Sequence, residues 1–436
     1  MPAEGPARVS TTGVDLREFV RTQLTMTADP EIASPFSEHP DRNRILLSAI
    51  RDAVALNGDY EPTDDLVRGL FDDLVGLGPL QRLMDDPRVT DILVNRFDEV
   101  YVERHGRLEL TEVAFRDRRH LEQTIHKIVA LVDREISVDK PLVDARMADG
   151  SRANAVFAPV GGPTLCIRKF GRIRLGLRPV DGLPERPTWV SAGGLSPSMA
   201  AFLEAAVLGR ANILIAGATG SGKSTLLRSL ISVFPPDERI ITIEDTAELE
   251  LDNPHWVKLE CVHSRELAGK GTQDRRLDVA DLVQNALRMR PDRLIVGEIR
   301  HSKEAYHVLE SLNTGHDGSA TTIHASSCAD SLARLELLIG RDFGQLQPAE
   351  IRRYIARVFD LIIFIARLRD GRRCVLEIVE LRGVDDRGHY QLTPVFQTEI
   401  RSTGTATLVR FGPMLQTSLG PRLEDKLRRQ GIAWTS

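Results

Sequence analysis

The run Gly217-Ala-Thr-Gly-Ser-Gly-Lys-Ser224 sets three glycines, a lysine and a hydroxyl at a spacing suited to holding a polyphosphate. Gly217, Gly220 and Gly222 let the backbone wrap tightly. Its amide N–H groups, through Ala218, Thr219 and Ser221, then turn toward anionic oxygens. Lys223 supplies a mobile cation for the β and γ phosphates, and Ser224 offers a hydroxyl to Mg2+. The flanks have the required form. Asn212 to Ile215 reads as a strand. A helix opens at Thr225 and runs to Phe234, with Leu226, Leu227, Leu230, Ile231 and Phe234 on one face. The helix N-terminus adds its positive end to the same place.

A triphosphate site also needs acids for Mg2+ and water. Two strand-like runs end in them: Arg239 to Ile243 leads into Glu244-Asp245, and Arg293 to Val296 leads into Gly297-Glu298. In a parallel sheet the carboxyl ends of the strands gather on the edge that carries the phosphate loop. Both Glu244 and Glu298 are therefore candidates to orient water or to hold Mg2+ through water. A third run, Asn313 to His324, supplies Asn313, Thr314, His316 and His324, expected as one polar cluster that senses phosphate state. Metal ligation by the two histidines is disfavoured, because no Cys or third His sits at suitable spacing. Arg288-Met-Arg290, before Pro291, either brings positive charge near the site or caps a helix C-terminus.

These residues need a scaffold, and the chain is long enough for two or three domains: 436 residues, 42% hydrophobic and 27% charged. Residues 1–59 read as a loose or partner-binding N-terminal region. Residues 60–170 mix helices and short strands, as expected of an α+β domain. Gly171 to Pro197, rich in Gly and Pro, reads as a linker. Residues 198–436 alternate strand and helix, the pattern of an α/β domain with a mostly parallel sheet, and close with further helices and three strand candidates. With 57 basic against 62 acidic residues the net charge is -5, which argues against a protein that coats nucleic acid. Four scattered cysteines fit a reducing compartment and offer no metal framework. Neither a signal peptide nor an apolar run long enough to span a bilayer is legible, so a membrane role is expected to run through partners.

Taken in order, the motifs resemble the ATPases of bacterial type II and type IV secretion systems and type IV pili, with the tight-adherence (Flp) pilus assembly branch the nearest in pattern. The resemblance covers about residues 60–395. It is carried by Gly76-Leu-Gly-Pro-Leu80, Asp91-Ile-Leu-Val-Asn95, Asp144 through Asn154 and Ile167-Arg-Lys-Phe170. In the ATPase domain it continues with the phosphate loop, Thr242-Ile-Glu-Asp245, Asn285 through Asp292, Ile295 through Arg300, and Asn313 through Ala325.

That resemblance implies a RecA-like P-loop ATPase domain behind a smaller α+β domain, acting on ATP with Mg2+. It makes Glu244 the water-activating carboxylate and Glu298 an acid of the Walker B strand, with Gly297 where many relatives of the loop carry Asp. His324 falls in a conserved histidine motif. Arg146, Arg152 and Arg168 match N-domain arginines, some of which reach nucleotide, and Arg152 is the first choice for lowering turnover when removed. It further implies a cytoplasmic homo-hexamer docked on inner-membrane platform proteins, with no nucleic-acid partner and no membrane insertion. The alternatives are a conjugation or type IV secretion ATPase, which shares every catalytic motif, a nucleic-acid-dependent P-loop motor, and a non-enzymatic nucleotide-binding scaffold. The last is disfavoured by the two acids. His301-Ser302 departs from the usual sequence after the Walker B acid, without removing a catalytic group.

Overall fold

The computed structural model describes residues 15–29, 32, 39–104, 106–132, 134–170, 175–179, 187–262, 277–342, 346–403, 406–416 and 418–434. The chain divides into two compact units, Met1–Arg172 and Ile173–Ser436.

The first unit begins with helices. Leu16–Thr27, Arg42–Asn57 and Asp64–Leu74 bury Val20, Leu46, Ile50, Val54, Leu70 and Phe71 against one another. The described part of the region expected to be loose is thus largely helical, because its apolar residues recur at helical spacing and find partners on neighbouring helices. Asp15 and Thr63 cap two of these helices by accepting backbone N–H bonds. After Gly76 the chain turns through Gly78, where φ is +60°, into the short helix Gln81–Asp85.

Six strands follow: β1 (Val89–Arg96), β2 (Glu99–Arg104), β3 (Arg107–Leu110), β4 (Leu142–Arg146), β5 (Arg152–Val156) and β6 (Thr164–Arg168). They form an antiparallel sheet in the order β3-β2-β1-β6-β5-β4. One face is covered by the helix Arg118–Ala130, whose Leu121, Ile125 and Ile128 meet Ile92, Val94, Val102 and Leu165. An α+β domain is what the sequence leads one to expect here. Strand β4 was not among the strands expected.

The second unit contains β7 (Ile213–Ala216), β8 (Ile240–Glu244), β9 (Trp256–Glu260), β10 (Arg293–Ile299), β11 (Ala320–Ile323), β12 (Leu361–Arg367), β13 (Arg373–Val384), β14 (Tyr390–Thr403) and β15 (Ala406–Phe411). The sheet order is β15-β14-β13-β12-β7-β11-β10-β8-β9. From β12 to β9 every neighbour is parallel, and β13 to β15 extend the sheet as antiparallel strands. Helices cover both faces, so the parallel strands read as near-continuous apolar runs. Leu177, Trp189 and Leu195 lie in the core of this unit, so the described part of the expected linker packs as part of it.

The helix Pro421–Arg429 was not foreseen. It lies against the amino ends of the parallel strands. Lys426 Nζ stands 2.7 Å from both Asp317 Oδ1 and Asp360 Oδ2, and Arg422 Nε 2.7 Å from Asp360 Oδ1. Asp360 is 1% exposed and also accepts the Asn212 backbone N–H. Asp360→Ala leaves these cations facing a buried site without their anion. It is expected to destabilise the fold by about 3 kcal/mol, seen as a lower urea midpoint at unchanged slope.

Candidate active site

The phosphate loop leaves β7, whose four residues are all buried between β12 and β11. Gly217 has no room for a side chain: a Cβ there would drive into the Ile365 carbonyl oxygen and Ser221 Oγ. Gly222, at φ +102°, closes the loop and precedes the helix Lys223–Ile231. Ala218 and Thr219 are exposed at the crest, and Ser224 and Thr225 are half-buried in the first turn. Lys223 is buried. Its ammonium donates to the carbonyls of Gly217 (3.0 Å) and Ala218 (3.1 Å) and lies 3.2 Å from His324 Nδ1. Burial holds the Lys223 pKa below its ordinary value, against the opposing pull of Glu298.

Glu298 is the hub of the surrounding polar groups. Its Oε1 lies 3.0 Å from His324 Nε2 and 3.6 Å from Lys223 Nζ, and its Oε2 accepts from Arg300 Nε at 2.7 Å. Arg300 reaches on to Asp245 Oδ2 at 3.3 Å. Burial also holds the His324 pKa below its usual value, so the imidazole is neutral at pH 7; with its proton on Nε2 it accepts from Lys223 at Nδ1 and at the same time turns its N–H toward Glu298 Oε1. Strands β10 and β11 are adjacent and parallel, which delivers Glu298 and His324 to one place.

Glu244 ends β8, the next strand over. Its carboxylate turns into its own loop, accepting N–H bonds from Glu248 (3.0 Å) and Leu249 (3.2 Å). It is 5% exposed, and burial pushes its pKa up to about 7. Gly297 is what makes space for it: a Cβ at 297 would meet Glu244 Cγ at 3.0 Å. Glycine in place of the common aspartate therefore has a steric cause. Gly297→Asp is expected to displace Glu244 and to cost about 1–3 kcal/mol by overpacking, together with turnover. A thermal melt and a phosphate-release assay on the same preparation would check both.

The residues suit a nucleotide with a hard cation. Ser221 Oγ and Glu298 Oε1 are buried without a well-aligned hydrogen bond, which is unusual for polar atoms, and both lie in or beside the loop. The hydroxyls of Ser224 and Thr225 and the carboxylate of Glu298 are the oxygen donors that Mg2+ prefers.

Arg146, Arg152 and Arg168, in the first unit, form a single row. Arg152 pairs with Arg146 across β4–β5 and with Arg168 across β5–β6. The row lies on the sheet face opposite the buried Ala145, Ala153 and Ile167. Arg168 Nε stands 3.6 Å from Asp91 Oδ1.

The structure corrects one expected grouping. Asn313, Thr314 and His316 precede β11, whereas His324 follows it. The first three therefore belong to the sheet edge away from the loop, where His316 Nδ1 lies 3.0 Å from the Ser311 carbonyl oxygen. Of the two options for Arg288, the cap is observed: Nη1 donates to the Gln284 carbonyl at the end of its own helix. Arg300 was passed over as a site residue. Its place two residues beyond Glu298 was the available signal, since such neighbours on an extended segment share a side.

With this geometry in place, the sequence profile described as "Type II/IV secretion system protein" matches residues 73–387, well over half of the chain. The chain belongs to the type II/IV secretion system protein family. Among relatives in this secretion family is a Mycobacterium tuberculosis protein whose name assigns it provisionally to conjugal transfer. It is 34% identical over 336 residues, which are 76% of this chain and 91% of the relative. The type IV secretion system protein VirB11 of Brucella suis is 32% identical over 311 residues, 66% of this chain and 84% of its own. The crystal structure of the Brucella suis VirB11 ATPase with sulphate is likewise 32% identical and covers 69% of this chain and 91% of that one. The TM-score of that match is 0.36.

Proposed function

We propose that this chain hydrolyses Mg-ATP and uses the cycle to drive a type II/IV secretion-type machine. The observation that carries the reading is the meeting of Lys223, Glu298 and His324 at the mouth of the phosphate loop. In this reading Lys223 and the loop amides bind the phosphates. Ser224 and Glu298 hold Mg2+, Glu298 partly through water. Glu244 takes the proton of the attacking water. His324 links the γ-phosphate region to β11. Mg2+ would supply charge neutralisation on the phosphate oxygens. Arg146, Arg152 and Arg168 supply guanidinium groups to nucleotide in a ring of six subunits, which docks on inner-membrane platform proteins at the cytoplasmic face of the membrane. Among the described residues no helix is long and apolar enough to cross a membrane.

The motifs favour a tight-adherence pilus as the machine. The names of the relatives, conjugal transfer and type IV secretion, favour the second reading, a conjugation or type IV secretion system. The genes beside this one decide between them: a prepilin with small platform proteins for the first, channel components for the second.

Glu298→Gln tests the metal role. Titration with a fluorescent ATP analogue at several Mg2+ concentrations is expected to show that this variant needs more Mg2+ than the native protein for half-saturation. An unchanged requirement would remove Glu298 from the metal site. Light scattering with the analogue present is expected to show six subunits, and Arg152→Ala to lower turnover more than affinity. A fully active monomer, or unchanged turnover, would contradict the respective halves.

A further inference from the structure

The second unit carries an arginine that braces the phosphate loop from a distant part of the chain. Strand β12 runs parallel to β7, pairing Phe364 with Ala216. The continuation of β12 toward Arg367 therefore runs beside the loop. The chain then reverses through Gly371, at φ +90°, and Arg373 pairs with Arg367 at the start of β13. From there Arg373 Nε donates to the Gly220 carbonyl at 3.0 Å. Its Cδ lies 2.9 Å from where a Cβ at Gly222 would stand. Trp189 packs on the same spot, 3.3 Å from that position through its ring. Its indole N–H is fixed by a 2.8 Å bond to Ser229 Oγ on the helix that follows the loop.

Gly220 and Gly222 both have positive φ, +71° and +102°. Glycine tolerates backbone conformations that other residues avoid, so Gly220 by itself constrains the peptide plane between it and Ser221 only weakly. In a trans peptide the C=O and the N–H of one plane point in opposite directions. With the Gly220 carbonyl held by Arg373, the Ser221 N–H must point the other way. It does: it bonds the Ala218 carbonyl at 3.3 Å, the same oxygen that accepts Lys223 Nζ at 3.1 Å. A phosphate oxygen that took the place of this carbonyl would accept from both donors.

We propose that Arg373 is a positioning residue of the phosphate loop: its guanidinium fixes the Gly220 carbonyl and thereby presents the Ser221 N–H to phosphate. It acts through the backbone and has no need to touch nucleotide. The inference rests on the reading of residues 217–225 as the nucleotide site.

A loop contact of this kind serves every phosphate that the loop holds, so ADP and ATP should suffer alike when it is lost. Arg373→Met keeps the methylene packing against Gly222 and removes the guanidinium. Titration of the full chain with fluorescent ADP and ATP analogues is expected to show both affinities about tenfold weaker, the scale of one charge-assisted hydrogen bond. Arg373→Lys, which keeps the charge but shifts the donor, should fall between. Native affinity for both nucleotides would overturn the proposal. So would a loss confined to ATP, which would mean direct contact with the γ-phosphate. Should Arg373→Met show no cooperative melt, Arg373→Lys is judged by the same two criteria. Lys223→Ala is measured in parallel. If it binds nucleotide as the native protein does, the nucleotide-site reading fails first. If it loses binding while Arg373→Met does not, only the role of Arg373 falls.

Discussion

Lys223→Ala is expected to reduce ATP hydrolysis by about a thousandfold, to background, while the protein stays folded. The first half follows from charge: the ammonium is the cation that the loop places against phosphate, and removing one such group from a preorganised site typically costs two to three orders of magnitude. The second follows from what the side chain does for the fold. Its hydrogen bonds go to two carbonyls of its own loop, and burial already disfavours its charged form. Deleting it removes a desolvated charge and leaves the cores on both faces of the sheet intact. Phosphate release and far-UV circular dichroism on one preparation check both halves. Near-native turnover by a folded variant would mean that this loop is not the active site.

Glu244→Gln is expected to lose turnover and yet gain stability above pH 7. The unfolded side chain titrates near 4.3, whereas burial raises the folded value to about 7. Between these values the folded state holds more protons than the unfolded state, so stability falls as pH rises through that window. Above pH 7 the charged carboxylate costs about 4 kcal/mol relative to a neutral isostere. Glutamine keeps an oxygen for the N–H groups of Glu248 and Leu249 and carries no charge. Its melting temperature should therefore exceed the native value at pH 8, with the gain shrinking to nothing near pH 4. Native hydrolysis should rise with pH through about 7, as a base in that position requires, and the variant should lack this limb while still binding Mg-ATP. Melts at pH 4.5 and 8, with a pH–rate profile, test this. A variant less stable than native at pH 8 would contradict the electrostatic half, and one with native turnover would contradict the catalytic half.

Much of this was legible because the relevant signals are local. The phosphate loop needs its glycines, lysine and hydroxyl within a few residues, and β7, β8, β10 and β12 declare themselves as apolar runs. Boundaries shifted by one to three residues, most usefully at β10. It continues to Ile299, so Glu298 sits on the strand where its direction is fixed. What escaped the sequence depends on contacts far along the chain. Arg373 lies 153 residues beyond Gly220, whose carbonyl it holds, and nothing near it in sequence marks it as different from Arg367, Arg369 or Arg372. The helix Pro421–Arg429 is highly charged, and only the buried Asp360 and the pocket for Leu423 and Leu427 explain its place. His316 and His324 looked like one cluster because the short strand between them is only four residues long. A parallel strand carries its two ends to opposite edges of the sheet, and that separation is a property of topology. Before residue 60 the sequence shows a short helix over Val14 to Gln23 and helical spacing from Ile45 to Leu56, and helices stand at both places. What its composition hides is that Val20, Ile50 and Val54 meet Phe71 of the following helix in one core.

The most direct measurement is the release of phosphate from ATP by the purified full chain, with Mg2+ and again with a chelator in excess. The expected result is steady turnover that saturates with ATP, stops on chelation and returns when Mg2+ is restored. Absence of turnover under all these conditions, with no binding of an ATP analogue to the same protein, would contradict the assignment of residues 217–225, Glu244 and Glu298 as an ATP-hydrolysing site.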